Sequence, residues 1–164
     1  MKYLGEKSLS SFLSWFFHVG WYVVLVCAVI AGIFGSYFFY APLDDPTFVK
    51  IAKYTEFNLQ DKDWVAFRSL PLAVRLLLLP YFIAVIVLLL KLIKKAQQLF
   101  TNFKKDIVFN KSNVLIISTF SKLLIPYSIL TFNFSSLIAS LLLLLLCEIF
   151  KNGTVLQEEH DFTV

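Results

Sequence analysis

"FLSWFFHVGWYVVLVCAVIAGIFGSYFFY", residues 12–40, contains no Asp, Glu, Lys or Arg. A helix needs about 20 apolar residues to cross about 30 Å of hydrocarbon, so this run crosses with length to spare. A cleavable signal sequence has an apolar stretch of only about 7 to 15 residues and a small-residue cleavage site. Here the run closes in aromatics and Ala41-Pro42, which reads as a retained anchor. Trp15, Trp21, Tyr37 and Tyr40 lie toward its two ends, where amphipathic rings prefer the membrane interface.

The rest of the chain has the same character. Its 164 residues are 59% hydrophobic and 16% charged, with a mean hydropathy of +0.76. A soluble core of this size cannot bury that much apolar surface, and a bilayer can shelter it. The net charge of +4 would suggest nucleic acid if the basic residues formed one stripe on a soluble domain. Instead they interrupt apolar runs and collect beside them, which reads as a topology signal with no direct nucleic-acid partner. Cys27 and Cys147 both lie in apolar segments and read as small packing residues.

Three further runs follow, at residues 70–90, 114–132 and 135–150. The second is interrupted by Arg75 and Pro80 and the third by Lys122 and Pro126, and each proline is expected to bend its helix. The short "TFNFSS" between the last two predicts a tight helical hairpin. Lysine and arginine are retained on the cytoplasmic side of membrane spans. One set of flanks holds nine of them (Lys2, Lys7, Lys91, Lys94, Lys95, Lys104, Lys105, Lys111, Lys151), and the other holds four (Lys50, Lys53, Lys62, Arg68). The expected fold is all-α, an integral membrane four-helix bundle with both termini in the cytoplasm and the lipid bilayer as its principal partner.

The outward connection, residues 41–69, is long enough to expect structure of its own. Phe48, Ile51, Ala52 and Phe57 would line one face of a short interfacial helix, while "YTEFNLQ" fits a strand equally well. The inward segment, residues 91–113, reads as a continuation of the second helix. Its lysines suit either anionic headgroups or a partner surface.

Candidates for chemistry are few. His18 sits in the first span, and the only other histidine, His160, sits in the polar tail, so packing or an interhelical hydrogen bond is expected and no metal or cofactor site. Arg75, Lys122 and Glu148 are intramembrane ionisable residues. Arg75 and Glu148 lie near enough to span ends for their side chains to reach the interface. Lys122 lies deeper, leaving three readings: a pair with Glu148 across the hairpin, snorkelling, or a polar path. Ser118, Thr119, Ser121, Ser128, Thr131 and Ser140 read as interhelical hydrogen bonders. No nucleophile with its base, paired catalytic carboxylates or phosphate loop is visible, so a non-enzymatic protein is expected.

After Phe150 the chain turns polar: "KNGTVLQEEHDFTV". Gly153 reads as a helix stop, with a turn or two re-forming beyond it, Val155, Leu156 and Phe162 clustered and Glu158, Glu159 and Asp161 exposed. This ending resembles that of the bacterial membrane proteins grouped as domain of unknown function 2975. The matching residues are Phe150, Lys151, Gly153, Leu156, Gln157, Glu158, Glu159, Asp161, Thr163 and Val164. "VFNKSNVL" is similar to a second element of that family through Phe109, Asn113 and Val114, and the opening "MKYLGEKSLSSFL" and four-span layout agree. Asp106 stands where the family often has glycine, and Asn110 where it has threonine; Asn110 remains a sound N-cap. The family has no established role, but its members resemble neighbours of small Cro-like helix-turn-helix regulators. The resemblance therefore implies a bacterial inner-membrane protein that binds a cytoplasmic protein, such as a helix-turn-helix regulator. Its contacts would come from the tail (Leu156, Gln157, Glu158, Glu159, Asp161, Phe162, Val164) and the middle loop (Phe109, Asn113). A small transport or immunity-type membrane protein using Lys122, Arg75 and Glu148 is the alternative.

Overall fold

In a computed structural model, described for residues 3–40, 45–55 and 58–162 (side chains of 38–39 and 157–162 excepted), every regular element is helical. Six helices follow in order: α1 (Leu9–Tyr40), α2 (Pro46–Tyr54), α3 (Lys62–Ser69), α4 (Leu72–Lys104), α5 (Lys111–Leu130) and α6 (Phe134–Phe162). Four of them, α1, α4, α5 and α6, are long and apolar enough to cross a membrane. The connection between α1 and α4 holds two short helices, α2 and α3, with Phe57 outside the described residues, and no strand forms among the described residues.

Burial runs opposite to that of a water-soluble protein. The buried apolar side chains are Phe48, Ala52, Leu92, Ile116 and Ile117, whereas the buried polar ones are Ser10, Asn113, Ser121, Ser128, Ser140 and Thr154. Large aliphatic residues point outward, with Leu77 and Leu115 each 69% exposed. Water would penalise this arrangement, while lipid favours it, because small polar residues let membrane helices approach closely.

The chain divides into two compact units. The first comprises Met1–Leu25 and Val85–Val164, so it holds the start of α1, the end of α4, and all of α5 and α6. Within it α5 and α6 form the expected hairpin. Phe132, at φ 51°, closes α5 with paired bonds, Phe132 N–H to the Ile129 carbonyl at 3.2 Å and Asn133 N–H to the Ser128 carbonyl at 2.9 Å. Asn133 then accepts from the Ser136 amide at 3.0 Å. The Cys147 thiol reaches the Val114 carbonyl at 3.5 Å, which fixes the register of the hairpin and sets Ser121 level with Ser140. Both serines are fully buried. Their hydroxyls, contrary to expectation, bond within their own helices: Ser121 to the Ile117 carbonyl at 2.8 Å and Ser140 to the Leu137 carbonyl at 2.6 Å. A short hydroxyl satisfies itself on the preceding turn and leaves its small volume to bring the two backbones together.

The second unit, Val26–Ala84, holds the end of α1, α2, α3 and the start of α4. Asp45 caps α2, accepting from Thr47 N–H at 2.7 Å and Phe48 N–H at 3.2 Å, with Pro46 following in the first turn. Asp61 caps α3 in the same way. Phe48 is fully buried, stacked on Trp64 at 6.3 Å and tilted against Tyr37 at 6.4 Å. That ring is the core of the unit.

Candidate functional site at the α4–α5 turn

The lysine-rich stretch that ends α4 is organised by one asparagine. Asn113 is wholly buried. Its amide nitrogen donates to the carbonyls of Ile107 at 2.9 Å and Val108 at 2.8 Å, and its oxygen accepts from Asn102 Nδ2 at 2.6 Å. These bonds satisfy backbone groups that a short turn cannot pair by itself. Upstream, Asp106 at φ 59° ends α4, with its N–H on the Phe103 carbonyl at 3.1 Å and Ile107 N–H on the Asn102 carbonyl at 3.0 Å. The position where the resembled family carries glycine is therefore one that requires a left-handed backbone. Downstream, Asn110 caps α5 by accepting from Ser112 N–H at 2.7 Å, as expected.

This turn holds Phe109 over α6. Its ring lies 5.5 Å from that of Phe150 and presses on Gly153, where an added Cβ would sit 2.6 Å from Phe109 Cδ1. Gly153 is consequently not a helix stop: α6 continues unbroken to Phe162. Its glycine forms a notch for a ring. From Phe150 the aromatic contacts run on through Phe103 at 6.4 Å, Phe100 at 6.1 Å and Phe17 of α1 at 5.6 Å. The N-terminal arm joins the same end, with Gly5 N–H donating to the Phe103 carbonyl at 3.2 Å.

Beside these rings α1 and α4 are bridged by polar side chains. Ser14 and Thr101 hydroxyls meet at 2.8 Å, and Gln97 Nε2 lies 2.8 Å from His18 Nδ1. The interhelical hydrogen bond expected of His18 is thus present. Gln97 and Thr101, absent from the sequence reading, had a signal in their spacing: polar residues four apart on α4 oppose Ser14 and His18 four apart on α1.

The other predicted residues separate. Asn113 shapes the turn from inside instead of presenting itself to a partner, while Phe109 keeps 44% of its surface. Val155 and Leu156 are exposed; Gln157, Glu158, Glu159, Asp161 and Phe162 lie on the helical extension of α6, and Val164 lies outside the described residues. Glu148 stands 3.7 Å from Lys151 in an exposed pair one turn apart, and among the described residues no ion pair joins it to Lys122. Such an exposed pair contributes little to stability. Lys122 is exposed on α5, and Pro126 has no N–H to offer its carbonyl. Arg75 belongs to the second unit, in the first turn of α4, where its backbone carbonyl accepts from Tyr40 Oη at 3.2 Å. Burial, and then the positive charge of Arg75, lower the pKa of Arg68.

No protein-family model matches the chain, and no curated protein or solved structure matches it. The arrangement offers rings, amides and ammonium groups at one place, which suits it to binding.

Proposed function

We propose that this chain is a non-enzymatic, multi-pass protein of the bacterial inner membrane, with both termini and the α4–α5 turn in the cytoplasm, and that this end binds a partner protein. The resemblance to domain of unknown function 2975 and the lysine bias of nine against four support the class and the orientation. The observation that carries the reading is the seating of Phe109 in the Gly153 notch. Through it the turn packs against α6 at Phe150 and Gly153, a few residues before the polar tail, so two segments distant in sequence meet at one end. The acidic residues of the tail sequence, Glu158, Glu159 and Asp161, suit a partner with a basic face, as a small helix-turn-helix regulator would present.

The test removes residues 157–164, beyond the buried Thr154, so that helix packing is retained. A co-purifying protein should be lost from the truncated chain while the spans still insert. Retention of every partner would contradict the proposal. The polar-path alternative gains no support from Glu148, whose carboxylate pairs with Lys151 instead of Lys122.

A further inference from the structure

Between the last turns of α4 and the first turns of α5 lies an open groove of about 480 Å³. Lys94, Lys95, Gln98 and Asn102 line one side and Ser112 and Leu115 the other, with no carboxylate among the lining residues. Lys95 Nζ donates to Gln98 Oε1 at 3.1 Å, which leaves the Gln98 amide nitrogen as a further donor. The apolar run of α4 ends at Leu90, and Lys94 and Lys95 follow four and five residues later, about 6 to 7.5 Å further along the helix. On α5 the apolar run starts at Val114, so Ser112 lies just outside it and Leu115 just inside. The groove therefore changes from cationic and donor-rich to aliphatic over the depth at which a phospholipid changes from phosphate to acyl chain.

We infer that this groove is a binding site for an anionic glycerophospholipid. The ammonium groups of Lys94 and Lys95 hold the phosphodiester, Gln98 and Ser112 donate to the headgroup, and an acyl chain runs along Leu115. Soluble phosphate has the charge but no use for the aliphatic end, and a zwitterionic lipid carries a cation that the two lysines repel. The site is independent of whether a protein binds the α6 extension.

Native mass spectrometry of the full chain in a mild non-ionic detergent would count retained lipid during titration with phosphatidylglycerol, phosphatidylcholine or inorganic phosphate. Phosphatidylglycerol should be retained preferentially. A lysine at an anionic membrane surface is worth about fivefold in affinity, so Lys94→Gln with Lys95→Gln should weaken retention about 25-fold. Lys50→Gln with Lys53→Gln, an equal change of charge on α2, should leave it unaltered, and Lys94→Arg with Lys95→Arg should preserve it. Equal retention of phosphatidylglycerol and phosphatidylcholine would overturn the inference. So would phosphate binding as tightly as the lipid, losses of the same size in the α2 control, or losses in Lys94→Arg with Lys95→Arg equal to those in Lys94→Gln with Lys95→Gln.

Discussion

Gly153 shows how one missing side chain joins two segments. An alanine there has two opposed effects: it favours the helix by up to about 1 kcal/mol, and it drives a methyl into Phe109. Overpacking of this kind costs about 1–3 kcal/mol, so Gly153→Ala should be destabilising on balance. In a Phe109→Ala background the obstruction is gone and the same substitution should stabilise by about 0.5–1 kcal/mol. Equilibrium unfolding of the four proteins of this cycle in detergent micelles would reveal the change of sign. Asp45 carries a pH dependence at the same scale. Its pKa is lowered, chiefly because the Phe48 and Thr47 amides donate to the carboxylate. A group with a depressed folded pKa stabilises above its unfolded value, near 4, and loses that contribution as pH falls through the folded one. Protection factors of the α2 amides against hydrogen exchange, taken relative to intrinsic rates at each pH, should accordingly fall over that acidic range in the parent protein and stay flat in Asp45→Asn, which keeps an N-cap oxygen.

At the scale of elements, α4 and α5 both end in left-handed residues that are not glycine, Asp106 and Phe132. Phe132 is 83% exposed and gives up little packing if replaced. The left-handed conformation costs an L-residue about 1–2 kcal/mol, partly offset by the greater freedom of glycine in the unfolded chain. Phe132→Gly should therefore raise stability by about 0.5–1 kcal/mol in the same unfolding measurement. The long helices were legible because sustained apolar runs need no partner to be recognised, and "TFNFSS" already marked the hairpin. Two things were not legible. Gly153 is ambiguous by itself, since glycine serves equally as a stop and as a close-approach site, and only the position of Phe109 decides between them. The connection between α1 and α4 was equally undecided: the caps Asp45 and Asp61 set α2 and α3, while Glu56 and Phe57 of "YTEFNLQ" lie outside the described residues. Of the candidate site, Phe109 and the tail were marked by the sequence, whereas Asn113 was marked for the wrong task because burial cannot be read from one residue.

For the molecule as a whole, the governing fact is the inverted distribution of side chains, with serines, a threonine and an asparagine inside and leucines outside. Four helices are long and apolar enough to cross a bilayer, and in the proposed topology four crossings put the two termini on one side. The lysine bias is the ground on which the proposal assigns that side to the cytoplasm. The binding reading depends on this choice, because only an inward-facing α6 extension can meet a cytoplasmic regulator. The most direct measurement fuses one reporter that is active only inside the cell and one active only outside it, each in turn, after Val164 and between Tyr54 and Lys62. The account predicts inside activity for the C-terminal fusion and outside activity for the insertion between α2 and α3. Outside activity at Val164, or the same side for both positions, would contradict it.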